Sequence, residues 1–380
     1  TPQQGTVGTL ITLEGTGFSA TETIRIDFGS HNTITTTTST TNGTFSVTFL
    51  INTQPYSSKT ITVTGLNSTY KNTTIFFIKA NIVYVLPQGG KVDTLVTVLC
   101  TGFGSGTYYK VYFDGQQHGS WYLTDSNGTF SATFFVDQKP CGTKIISVGI
   151  PSVFATNIFV IMGSITYLNP VTGIVGTTVT IKGNGFGTDS LIRIDFGTQE
   201  TITTTITDST DGTFSTTFFV NTQVYGSQII TVRQPGLDCL TTDTIVFFII
   251  PKIIQVVPTF AQVGKPITVI GNGFSVGSVT IQFGTHLSIT TATVDTTGTF
   301  SVTFLVSTQI GGTGTAITAS QGSILVSTTA LFTIKGDIIL ITPPSGPVDP
   351  DSNITVAGTG YGNPGTPIAI DFEGMIPSLD

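Results

Sequence analysis

The sequence predicts an all-β fold: a tandem array of small β-sandwich domains joined into a stiff rod. Three observations carry that expectation. A glycine-rich motif ending in an aromatic residue returns five times, as Gly15-Thr16-Gly17-Phe18, Cys100-Thr101-Gly102-Phe103, Gly183-Asn184-Gly185-Phe186, Gly271-Asn272-Gly273-Phe274 and Gly358-Thr359-Gly360-Tyr361, at periods of 85, 83, 88 and 87 residues. A second anchor, Gly-Thr-Phe-Ser at 43–46, 128–131, 212–215 and 298–301, follows the first at 27, 27, 28 and 26 residues, Phe to Phe. Between the anchors apolar and polar residues alternate with period two, and no helical period appears. A fixed period of this length marks one small domain copied along the chain. The expected domains are 1–80, 81–163, 164–251, 252–335 and 336–380; the first lacks its first strand, the second carries an aromatic insertion and the last holds first strands only.

Repeat 3 shows the elements most clearly. Residues 164–168 form a short apolar strand, and Pro170 with Gly173 turns the chain. In residues 177–182, Val179 and Ile181 alternate with Thr178, Thr180 and Lys182, as in a half-buried strand. The glycines of Gly183-Asn184-Gly185 free the backbone for a tight loop. In residues 191–196, Ile192, Ile194 and Phe196 point inward and Arg193 and Asp195 outward. Asp211-Gly212 is a hairpin signal before strand 214–220, and strands 229–232 and 244–249 complete the set. About seven short strands with polar turns read as a β-sandwich of immunoglobulin type.

The pattern Pro-x-x-Gly-x-x-Gly-Thr-x-Val-x-Ile-x-Gly-x-Gly-Phe over residues 170–186, followed by Asp211-Gly212-Thr213-Phe214-Ser215, resembles IPT/TIG-like immunoglobulin domains. The resemblance extends over nearly the whole chain. It implies tandem immunoglobulin-like repeats of the kind frequent in prokaryotic cell-surface proteins. It is nearly silent on function, because such modules serve as spacers, adhesins and appendages to enzymes.

The joints between repeats are uniformly short. Apolar residues 75–78 pass through Lys79-Ala80 into 82–86, 158–162 through Gly163 into 165–168, 246–250 through Pro251 into 253–257, and 331–334 through Lys335-Gly336 into 338–341. Flexible linkers are longer and rich in Gly and Ser. The domains are therefore expected to abut, each adding roughly 35–45 Å at a strand rise of ~3.3 Å per residue.

Composition narrows the setting. A formal charge of −7 and a pI near 4.8 argue against nucleic acid, which needs clustered Lys and Arg. The longest apolar stretch, residues 245–257, is broken by Pro251 and Lys252, so no transmembrane segment of ~20 residues is expected. The chain starts at Thr1 without a signal-like segment and reads as processed or as an excerpt. Sequons at Asn42, Asn67, Asn72, Asn127 and Asn353 make N-linked glycans expected partners. With only 9% charged residues, these features favour an extracellular or cell-surface location.

Cys100 ends a B-like strand and Cys141 opens an F-like strand of the same repeat, at opposite ends in immunoglobulin topology. Cys141 is therefore expected to pair across the domain boundary with Cys239, in the F–G loop of repeat 3. Three unpaired cysteines are the alternative. His31, His118 and His286 fall just past the C-like strand of three different repeats and read as solvated turn residues, with no metal site. Asp27, Asp114, Asp195 and Asp371 recur singly and form neither a catalytic pair nor a calcium cage. Gly183-Asn184-Gly185-Phe186-Gly187 is followed by a strand, whereas a phosphate loop needs a helix N-terminus. No nucleophile elbow, HExxH or CxxC pair is present, so neither an enzyme nor a cofactor is expected.

Two features point to partners. Repeat 2 holds Tyr108, Tyr109, Tyr112, Trp121 and Tyr122 where repeats 1 and 3 have Thr-rich runs, a candidate contact patch or sugar platform. The terminal repeats are incomplete, which leaves two readings open: a window on a longer array, or polymerisation of copies of the chain. In the second, a C-terminal segment carrying Ile338 and Leu340 adds to the open edge of repeat 1. The expected function is that of an extracellular structural protein, a subunit of a surface filament, stalk or surface layer. The alternative is an adhesin or carbohydrate-binding surface module.

Overall fold

A computed structural model describes residues 2–235, 242–311, 314–346 and 353–371, and every regular element among them is a β-strand. The third module sets the pattern. Ser164–Asn169, Thr178–Asn184 and Phe214–Phe219 make a three-stranded sheet with Thr178–Asn184 in the middle. Opposite it lies a five-stranded sheet in the order Thr172–Gly173, Thr242–Ile249, Gly226–Arg233, Leu191–Phe196, Gln199–Ile206. All neighbours run antiparallel except Thr172–Gly173, which lies parallel to Thr242–Ile249. Thr172 and Gly173, expected in a turn, are thus a short edge strand.

Alternation explains the layers. Ile192, Ile194 and Phe196 are fully buried, while Arg193 and Asp195 on the other face reach solvent. Val179, Ile181, Ile230, Val232, Phe247 and Ile249 close the same core from both sheets. The two sequence anchors meet there: Phe186 and Phe214 pack edge to face at 5.3 Å, and the equivalent pairs Phe18–Phe45, Phe103–Phe130 and Phe274–Phe300 repeat the geometry at 5.4, 5.4 and 5.1 Å. Close packing also explains a glycine. A Cβ on Gly183 would lie 2.7 Å from the Ser164 carbonyl oxygen and 2.9 Å from the Phe186 ring.

One strand per module escaped the sequence analysis. His31–Thr38, Gln116–Leu123, Gln199–Ile206 and His286–Val294 each pair with the strand before them. They are largely Thr and polar residues and mostly exposed, so no apolar alternation marks them.

The ends differ from the middle. Among the described residues, the small sheet of the first module is made of Leu10–Gly15 and Phe45–Leu50. Beyond the fourth module, Asp337–Thr342 pairs with Thr355–Thr359. In that pair a bulge between Ile338 and Leu340 changes the alternation, so Ile338 lies opposite Gly358 and Ile341 opposite Val356. The same bulge in Asn81–Leu86 leaves Ile82 and Val85 buried and Tyr84 outward. Leu340 therefore occupies the outward position of Tyr84. Ile338 and Ile341 occupy the positions of Ile82 and Val85, and all three of Ile338, Leu340 and Ile341 are exposed.

Candidate functional site: the junctions between modules

A repeated glutamine loop builds three of the four junctions. After the Gly-Thr-Phe-Ser strand, the chain turns through Asn52-Thr53-Gln54-Pro55-Tyr56, Asn221-Thr222-Gln223-Val224-Tyr225 or Ser307-Thr308-Gln309-Ile310-Gly311. Gln54 is buried; its amide donates to the Phe28 carbonyl at 2.9 Å and to Asn52 at 2.8 Å, and its oxygen accepts the Ser30 N–H at 3.1 Å. Gln223 and Gln309 repeat the bond, to the Phe196 and Phe283 carbonyls at 3.0 Å each. This glutamine fixes the loop to its own module.

Two residues further on, the same loop reaches the next module. The N–H groups of Tyr56, Cys141, Tyr225 and Gly311 donate to the carbonyls of Phe103, Phe186, Phe274 and Tyr361 at 2.9, 3.1, 3.2 and 2.9 Å. Each acceptor is the aromatic residue of the following module's first anchor. The glycine of the second anchor makes room: a Cβ on Gly128 would sit 3.0 Å from Pro55 Cα, and one on Gly298 would sit 2.7 Å from the Gln223 carbonyl oxygen. On the other side, Gly102, Gly185, Gly273 and Gly360, the second glycines of the later first anchors, lie against the linkers. Gly273, at φ +73°, has the Ile250 carbonyl oxygen 2.9 Å from where a Cβ would be.

Side chains add to particular junctions. Tyr56 packs edge-on against Phe77 at 5.0 Å and touches the second module's core, and Tyr225 meets Phe248 in the same way at 5.3 Å. Between modules 2 and 3, Lys91 pairs with Asp243 at 3.0 Å while the same carboxylate accepts the Ile165 N–H at 2.8 Å. Gln138 donates to the Asp211 carbonyl at 3.1 Å. The sequence signal for these loops was available as a third repeated string, but neither anchor pointed to it.

The remaining candidates fall out as follows. Cys141 is disulfide-bonded, and Cys100 is a free thiol whose burial pushes its pKa up to about 12. Cys239 lies outside the described residues. Tyr109 is only 1% exposed, so it is a core residue and unavailable to a partner. It stacks on Phe130, with Tyr122 also stacked against that ring at 6.0 Å. Tyr112 is half-buried. Tyr108 and Trp121 remain exposed and line a shallow hollow, with the Lys110 ammonium 4.4 Å from the Trp121 ring centre. His31 and His286 are exposed, but His118 is not a solvated turn residue: it bonds Asp137 at 2.7 Å and packs against Phe113 and Phe134.

All five sequon asparagines are exposed. Among the described residues there is no group of three metal-ligating side chains and no helix long and apolar enough to cross a membrane. Sequence reasoning also missed a row of outward apolar residues. Leu50, Phe135, Phe219 and Leu305 each end the strand begun by the second anchor's Phe, and they are between 58% and 68% exposed. The signal was an apolar residue where alternation calls for a polar one.

No family model and no curated protein matches the chain, so the IPT/TIG likeness stays one of motif. Among solved structures it is similar to invasin, a bacterial integrin-binding protein, at 14% identity over 87% of this chain and 80% of that one, with a TM-score of 0.21. It is also similar to an ICAM-5 D1–D4 ectodomain fragment, at 11% identity over 88% and 98% with a TM-score of 0.22. The BSP domain of a biofilm-associated protein gives 11% identity over 87% and 96% with a TM-score of 0.17. Scores this low transfer no role. The sheets themselves define the class: a tandem array of immunoglobulin-like β-sandwich modules.

Proposed function

We propose that this chain is an extracellular structural protein, a subunit of a surface filament, stalk or surface layer, assembling through end-to-end and lateral contacts of its β-modules. The supporting observation is the loop-to-carbonyl hydrogen bond made by Tyr56, Cys141, Tyr225 and Gly311 at successive junctions. A bond of one geometry at each boundary, beside linkers of one or two residues, resists bending where a flexible tether permits it. The domain divisions are 1–80, 81–163, 164–251, 252–335 and 336–380, supported by separate buried clusters centred in the first four.

Further parts of this reading rest on single features. Cys141 pairs with Cys239 across the second boundary; the support is that Cys100, the third cysteine, is free and buried. Peptide mapping without reductant should recover the two as one linked species, and free thiols at both would refute the pairing. Glycans on Asn42, Asn67, Asn72, Asn127 and Asn353 would shield exposed faces. Outward Leu50, Phe135, Phe219 and Leu305 supply lateral contacts.

Electron microscopy of the native material tests the whole reading. Ordered fibres or lattices are expected. Isolated monomers that bind glycans through Trp121 and Tyr122 would instead support the second reading, an adhesin or carbohydrate-binding module. The observation favouring that second reading is the exposed hollow between Tyr108 and Trp121.

A further inference from the structure

Module 4 closes its large sheet differently from its siblings. In modules 1, 2 and 3 the last strand, Lys71–Ile78, Val153–Ile161 or Thr242–Ile249, pairs without interruption along the strand before it. Ile61, Ile146 and Ile230 lie opposite Thr74, Asn157 and Ile245, and a core phenylalanine follows two positions later, as Phe76, Phe159 or Phe247. The equivalents in module 4 are Ile317, opposite Phe283, and Phe332, packed edge-on against the Phe283 ring at 5.6 Å. There the ladder stops after Thr318 with Ser327, and the Thr328 N–H donates to the Ile317 carbonyl at 2.9 Å. Pairing resumes at Thr315 with Phe332. Residues 329–331 thus stand where each sibling has a single residue, Ile75, Ile158 or Val246.

The two extra residues carry the chain out of the sheet, and a pocket of about 280 Å³ lies between this bulge and Lys252–Val257 of the small sheet. Core side chains line it: Ile253, Ile317 and Phe332 are 7%, 1% and 2% exposed. Val256 and Leu331 add apolar wall. Lys252 is the one charged residue of the lining, and among the described residues it forms no ion pair. An apolar hollow with a lone cation in its wall is a poor site for water and a complementary one for an amphiphilic anion.

We propose that this pocket of module 4 binds a small aliphatic carboxylate, a single unbranched chain of about eight carbons. Size sets the length: an apolar cavity of ~150 Å³ holds benzene, so this one takes on the order of ten heavy atoms. A lipid with two long chains is too large for it. The hydrocarbon covers Ile253, Ile317 and Phe332, which supplies the affinity. The carboxylate meets the unpaired Lys252 ammonium, which selects an anion over a neutral alcohol of the same length. A sugar is disfavoured, because its hydroxyls would face isoleucine and phenylalanine without hydrogen-bond partners. The site belongs to module 4 alone and does not rest on the assembly reading above.

The test titrates octanoate into the intact 380-residue chain and follows isoleucine methyl signals by NMR. Ile253 and Ile317 should shift and saturate, with half-saturation near ~1 mM, while Ile146, Ile181 and Ile194 of modules 2 and 3 stay in place. 1-Octanol should bind the same site about threefold more weakly, and Lys252→Gln should remove that difference by weakening octanoate alone. No shift at about ten times that concentration, or equal shifts in all modules, would overturn the site. Equal affinity for octanoate and 1-octanol in the unaltered chain would overturn the choice of a carboxylate. Deleting Thr329 and Ala330 restores the sibling spacing and should abolish binding while amides of Gly277–Phe283 keep their slow exchange. Should the deletion unfold module 4, Ala330→Trp, placed at an exposed position of the bulge, fills the pocket instead. Binding that persists in either folded variant would refute the proposal.

Discussion

At the scale of single residues, one N–H in each of the first four modules shows how the fold tolerates divergence. The N–H just after the first anchor's aromatic residue must find an acceptor. Ser19 gives it to the Glu22 carboxylate at 2.7 Å, Gly104 to the Tyr109 hydroxyl at 2.9 Å, Gly187 to Gln234 at 2.8 Å and Ser275 to Gln321 at 2.9 Å. Those acceptors come from different strands and loops, so no motif reveals them. Glu22 is fully buried and also accepts the N–H groups of Ser68 and Asn67 and the Ser68 hydroxyl. The Ser68 N–H first, then Ser19, the Ser68 hydroxyl and Asn67, hold its carboxyl below the ordinary glutamate range, against the upward push of burial. A folded-state pKa that is lowered contributes stability above the unfolded value and loses it as pH falls through the folded one. Module 1 should therefore open in acid, seen as faster exchange of the Ser19 and Ser68 amides. In Glu22→Gln that acid limb should disappear while the module is weaker at neutral pH. An unchanged pH profile in the variant would remove Glu22 from this role.

At the scale of elements, the glutamine loop links the inside of a module to its neighbour. Removing a buried partner leaves a carbonyl unsatisfied, costing about 1–3 kcal/mol. Gln223→Ala should therefore destabilise module 3 by that order and free the Tyr225 N–H from Phe274, both readable by hydrogen exchange. The alternating strands around Ile192, Ile194 and Phe196 were legible in the sequence because burial on one face leaves period two behind. The Thr-rich strand beside them was not, since both its faces are mostly wet; only its β-branched content marked it. The aromatic patch of repeat 2 was legible as composition but not as geometry. Tyr109 turned inward with the alternation of Tyr108–Phe113, and Tyr108 stayed out. A bulge, invisible to a count of alternating residues, puts Ile341 rather than Leu340 at the position that buried Val85 holds in module 2.

At the scale of the whole molecule, the repeat places the same outward features once in each of the first four modules. The outward residues Leu50, Phe135, Phe219 and Leu305 recur once per module at one register. Covering a phenylalanine gains about 1.5–3 kcal/mol. A Phe135→Asp, Phe219→Asp chain should thus lose side-by-side association by at least about tenfold while its modules stay folded, as light scattering would report. Asp243 serves both Lys91 and the Ile165 N–H, so Asp243→Asn should loosen the second junction more than removal of the exposed Lys91 ammonium does. The central claim is that each module is fixed to the next. Residual dipolar couplings measured on the intact chain test it most directly. Couplings from the first four modules should fit one alignment tensor. Separate tensors of different magnitude for each module would contradict the account, because they would mean that the loop-to-carbonyl bonds do not hold neighbouring modules in one orientation.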